Sequence, residues 1–87
     1  MNSFYSASIS DFLQESSESI LGTLVKNNPF SLEDTQRNTW LEQIRILKNI
    51  LYKFPSGKIL FEYAIPRMGK RIDVVLLING YVFIIEG

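Results

Sequence analysis

Eighty-seven residues bound the chain to one small domain, which at this length removes only about 60 to 65% of its unfolded surface from water. Apolar residues make up 46% and aromatics 13%, outside the disordered class, and nine basic residues against nine acidic ones leave no global field to attract a polyanion. Cysteine and histidine are both absent, which excludes disulfides, thiolate and imidazole metal ligands and every triad built on imidazole. Carboxylate, amine, hydroxyl and backbone remain. No segment reaches the roughly 18 uninterrupted apolar residues of a membrane span, and the N-terminus lacks the basic start and apolar run of a secretory signal. The expectation is a soluble cytoplasmic domain without a membrane partner.

Ser8-Ile9-Ser10-Asp11 reads as a capping box, with Ser8 accepting from the Asp11 backbone N–H and the Asp11 carboxylate reaching back. It predicts a helix from about Ile9 to Lys26, with Phe12, Leu13, Ile20, Leu21, Leu24 and Val25 on one side and Asn27-Asn28-Pro29 as its stop. Ser16-Ser17-Glu18-Ser19 is a poor helix former within it. A second capping box, Ser31-Leu32-Glu33-Asp34, opens a helix whose Trp40, Ile44, Leu47, Leu51 and Phe54 recur at helical spacing. Leu41, Ile46 and Ile50 widen its apolar face, so burial on two sides is expected, and Pro55-Ser56-Gly57 ends it.

After Gly57 the period becomes that of strands. Lys58 to Ile65 is a first strand, followed by a tight Arg67-Met68-Gly69-Lys70 turn; Ile72 to Ile78 is a second, joined through Asn79-Gly80 to a third from Tyr81 to Glu86. The predicted fold class is α+β: two N-terminal helices, then a three-stranded antiparallel meander, in one domain spanning residues 1–87. Val74, Val75, Leu76, Leu77 and Ile78 do not alternate, and a strand apolar on both faces wants cover on both. The open face and the free edge of the third strand predict a homodimer; the alternative is that the N-terminal helix covers the open face within one chain.

A metal that activates water for phosphodiester attack needs oxygen ligands held close together, with the rest of its shell free for water and phosphate. With Asn79-Gly80 as the turn, Asp73 pairs opposite Glu86, and directly paired side chains have Cβ atoms about 4.5 to 5.5 Å apart. Asp73 and Glu86 are therefore the candidate metal ligands and catalytic acids, for Mg²⁺ or Mn²⁺. Glu62, on the neighbouring strand, is either a third acid or an ordinary polar position. Arg67, Lys70 and Arg71 are candidate phosphate contacts, or simply a charged hairpin end. Equally open are readings of Asp73 as a strand-start residue bonded to Arg71 or to a turn amide, and of Glu86 as a solvated terminal charge. Glu42 reads as solvated and Trp40 as packing.

Phe61-Glu62-Tyr63-Ala64-Ile65-Pro66, Arg71-Ile72-Asp73-Val74-Val75 and Phe83-Ile84-Ile85-Glu86 resemble the nuclease-like domain at the N-terminus of bacterial nuclease-helicase fusions, within the PD-(D/E)xK nuclease superfamily. The likeness covers roughly Trp40 to Gly87. It implies a restriction-endonuclease-like αβββαβ core of which this chain holds the front half, with Asp73 as the first metal-binding acid and Glu86 as the second. It also implies a lysine directly after Gly87, to orient the attacking water, and a crossover helix with a further strand beyond it. The expectations that follow are DNA as substrate, a helicase domain in the intact protein, and a truncated domain inactive as a fragment. Two competing readings stay open: a non-catalytic dimerisation or interaction scaffold, and a nucleic-acid-binding module without catalysis.

Overall fold

A computed structural model describes residues 2–86. Its elements run β1 (Tyr5–Ser8), α1 (Ile9–Gln14), α2 (Ser17–Asn27), α3 (Asp34–Leu51), β2 (Lys58–Ile65), β3 (Lys70–Ile78) and β4 (Tyr81–Ile85). The α+β class is as expected, but the sheet has four antiparallel strands in the order β1-β2-β3-β4, and there are three helices rather than two. The extra strand is short and half polar. Tyr5 is buried and Ser6 exposed, with register Tyr5 to Phe61 and Ser8 to Lys58 against β2.

The expected first helix divides at Glu15-Ser16. Ser8 caps α1, accepting from the Asp11 N–H at 3.0 Å, and Ser16 caps α2 in the same way, accepting from Ser19 N–H at 3.1 Å. Serine that satisfies a free helix N–H competes with continuing the helix, so the weak helical stretch becomes a new start. The capping box expected at Ser31 does not form: α3 begins at Asp34 with Glu33 as its N-cap and no side-chain cap. It ends at Leu51 instead of Phe54.

The end of α1 is held by a residue from α3. The Lys48 amine donates to the carbonyl oxygens of Phe12 (2.5 Å), Leu13 (3.3 Å) and Glu15 (2.6 Å) and lies 4.8 Å from the centre of the Phe12 ring. A cation at a helix C-terminus answers both the unpaired carbonyls and the helix dipole.

Ile9, Phe12, Ile20, Leu24, Trp40, Ile44 and Leu51 pack on Ile59, Phe61, Val74 and Leu76, the helix-facing row of the sheet. Each such burial contributes about 1.5 to 3 kcal/mol. Among the described residues all three helices belong to this one core, so the N-terminal helix does not cross to the other side. The outer face, where Leu60, Tyr63, Ile72, Val75, Leu77, Val82 and Ile84 line a shallow hollow, carries only strand residues. Burial of α3 on two sides is also not found: Ile46 and Ile50 stay 41% and 53% exposed, because the helix lies over the middle of the sheet and leaves β4 uncovered.

Candidate functional site

Register places the acids. In β3–β4, Val74 pairs with Ile85 and Ile78 with Tyr81, around a turn whose Asn79 and Gly80 both have positive φ. Continued by one position, this sets Asp73 across from Glu86, as the hairpin reading requires. In β2–β3, Phe61 pairs with Val74 and Tyr63 with Ile72, which brackets Glu62 against Asp73. Glu62, Asp73 and Glu86 therefore occupy one transverse row across β2, β3 and the end of β4.

The row is not regular. Glu62 has φ 55°, in the left-handed region, where a residue with a Cβ carries strain of order 1–3 kcal/mol. The consequence is a break in alternation. Phe61 is in the core, Glu62 lines a hollow on the helix side with Trp40, and Tyr63 turns to the outer face. Glu86 lies just beyond β4 and is exposed. Among the described residues no group of three or more carboxylates gathers to hold a metal ion.

Glu62 carries the clearest electrostatic signature. Burial pushes its carboxyl above the usual range and the charge of Asp73 adds to the rise; Trp40 and Arg71 act the other way and weigh less. The Trp40 indole N–H faces Glu62 without closing a hydrogen bond of normal geometry, although the residue is only 2% exposed. Trp40 is core packing, as its spacing suggests, and it also stands edge-on to Phe4 with ring centres 6.4 Å apart.

The three basic candidates separate. Arg71 lays its guanidinium over the Phe4 ring at 4.4 Å and lines the same hollow of about 280 Å³ as Glu62 and Trp40. Arg67, at φ 67°, and Lys70 stay exposed at the β2–β3 turn. Glu42 is exposed and paired with Arg45, as expected of a solvated position. The partnership of Arg71 with Phe4 was not visible in the sequence, because Phe4 is brought to it by tertiary hydrogen bonds, Phe4 N–H to Phe61 O at 3.0 Å and the Asn27 side-chain amide to Phe4 O at 2.8 Å.

A second feature is apolar. Ile50, Leu51, Phe54, Ile78, Tyr81 and Phe83 line an open groove of about 470 Å³ between α3 and β4. No residue of β4 is buried.

The chain matches no protein-family profile, no curated protein and no solved structure.

Proposed function

We propose that this domain is a nuclease-like module of the PD-(D/E)xK type, in which Asp73 and Glu86, with Glu62 beside them, hold a divalent cation against a DNA phosphodiester. The observation that carries the reading is the register: the pairs Phe61 to Val74 and Tyr63 to Ile72 bracket Glu62 and Asp73, and the pair Val74 to Ile85 ends one position short of Asp73 and Glu86. The order α3-β2-β3-β4 supports it, since a helix followed by a three-stranded meander is the first part of the αβββαβ core.

The donors suit the ion. Carboxylates without histidine or cysteine favour a hard cation such as Mg²⁺ or Mn²⁺. Asp73 and Glu86 would hold it, and a cation there would offset the charge of Asp73, which adds to the rise that burial imposes on the Glu62 carboxyl. When bound, such an ion supplies an activated water and neutralises developing charge on the phosphate. Arg67 and Lys70, exposed at the turn beside the row, are placed to meet backbone phosphates, whereas Arg71 serves the site by holding the Phe4 side of the hollow. A helicase domain is the partner this reading expects.

The test is a Mn²⁺ titration followed by water-proton relaxation. Weak binding is expected in the wild type, lost in Asp73→Ala and retained in Glu42→Ala, whose carboxylate lies away from the row. Equal and negligible binding in all three removes the metal reading. A second reading, an interaction scaffold without catalysis, is favoured by one specific observation, the uncovered apolar surface along β4.

A further inference from the structure

We infer that the hollow beside Trp40 is a pocket for one unstacked nucleobase, held flat against Phe30 and Arg71 with its polar edge toward Trp40 and Glu62. The inference rests on the nucleic-acid side of the reading above and deepens it; it needs neither the metal nor cleavage.

It starts from a donor without a partner. Trp40 is 2% exposed, and its indole N–H makes no hydrogen bond among the described residues. Buried polar groups are nearly always paired, so an orphan at the wall of a cavity points to an acceptor supplied from outside. Beside it stands a carboxyl. Glu62 reaches the helix side of the sheet because its φ of 55° breaks the alternation of β2, and left-handed backbone at a residue with a Cβ collects at ligand sites. A donor next to a carboxyl thus lines a hollow of about 280 Å³, at the foot of the size range of small-molecule sites and with room for one ring system.

The walls select a flat ligand. Phe30, 72% exposed in the loop between α2 and α3, offers a ring at the mouth, and its backbone N–H donates to the Asn28 side chain at 3.1 Å. Arg71 offers a second plane: its guanidinium lies 4.4 Å from the centre of the Phe4 ring and makes no ion pair among the described residues. Aromatic rings and guanidinium planes are the surfaces on which unpaired bases stack.

Charge argues against a simple anion. Glu33 and Glu62 line the hollow against the single cation Arg71, so a phosphate or carboxylate gains no net attraction there. An aromatic side chain of a peptide would stack equally well, but its ring has no acceptor set directly beside a donor. Every nucleobase carries that pair on its Watson–Crick edge, to accept from the Trp40 N–H and to donate to the Glu62 carboxyl. Access fits as well, since Arg71 follows Lys70 in β3 and a strand whose phosphates meet the Arg67–Lys70 turn passes close to the hollow.

Trp40 is the only tryptophan in the chain, so its fluorescence reports the pocket directly. The full chain is titrated with deoxyadenosine monophosphate, a short single-stranded oligodeoxyadenylate, deoxyribose phosphate and N-acetylphenylalanine amide, with excitation at the red edge of the indole band, where bases do not absorb. EDTA is present throughout, so the metal reading stands or falls by its own titration. Saturable quenching by the two nucleotides and none by deoxyribose phosphate is expected. Tighter binding of the oligonucleotide places the base in a strand and equal binding places it in a free nucleotide; both support the pocket. Phe30→Ala is expected to weaken binding about 5- to 150-fold, the loss of one stack, with Tm unchanged because Phe30 lies outside the core. Phe30→Tyr is expected to bind like the wild type, as is Tyr52→Ala, which alters an exposed aromatic at the C-terminal end of α3. No saturable quenching by either nucleotide, equal quenching by deoxyribose phosphate, binding of the phenylalanine amide as tight as that of the nucleotides, or full affinity in Phe30→Ala would overturn the inference.

Discussion

Replacing Lys48 by methionine isolates the device that ends α1. Methionine keeps the apolar stem over Phe12 and removes the three donors that reach the carbonyls of Phe12, Leu13 and Glu15. A hydrogen bond from a charged donor contributes about 1.5 to 3 kcal/mol, and a cation at a helix C-terminus about 0.3 to 1 kcal/mol more. One ammonium serving three carbonyls does not give three independent bonds, so the combined loss is about 2 to 3 kcal/mol. α1 has six residues and no other basic group in its last turn, so nothing else in the helix replaces the cap. At about 4 to 8 °C per kcal/mol for a domain of this size, Tm falls by roughly 8 to 24 °C. Thermal unfolding followed by circular dichroism at neutral pH measures this. Because the acceptors are neutral carbonyls, the drop persists in high salt. A Tm within about 2 °C of the wild type would refute the reasoning and show that water serves these carbonyls equally well.

The other predictions concern charge, space and one buried hydroxyl. Since the folded protein holds Glu62 protonated to a higher pH than the unfolded chain does, stability falls as pH rises from the unfolded carboxylate value, about 4.3, through the folded one. Glu62→Gln is expected to flatten that part of the pH profile and raise Tm at neutral pH; an unchanged slope would show that burial and Asp73 do not raise the Glu62 carboxyl. A Cβ at Gly57 would stand 2.6 Å from the Leu77 carbonyl oxygen, so Gly57→Ala is expected to cost about 1 to 3 kcal/mol, whereas Gly22, with open space around it in α2, gains about 0.5 to 1 kcal/mol on the same change. Urea midpoints of opposite sign bear this out, and equal ones refute it. Tyr5→Phe removes the 2.7 Å bond that the Tyr5 hydroxyl donates to Glu15, for an expected loss of about 1 kcal/mol by the same measurement; no loss would mean that the Ser19 hydroxyl, 2.6 Å from Glu15, suffices to hold the turn.

Periodicity and breakers placed most of the fold. β2 spans the predicted residues, and the β3–β4 register follows from Asn79-Gly80, because positive φ at two successive positions admits only a tight turn. Two failures share a cause. The division at Ser16 and the capping at Glu33 both turn on which of several serines and acids meets a free N–H, a choice settled by tertiary packing. β1 was missed because Tyr5-Ser6-Ala7-Ser8 is too short for alternation to stand out, although Tyr5 inward and Ser6 outward is the signal. At the acid row, Asp73 and Glu86 could be aligned by counting along the hairpin. The positive φ of Glu62 could not, since nothing in Phe-Glu-Tyr marks a left-handed residue, and it is this angle that turns Glu62 toward Trp40.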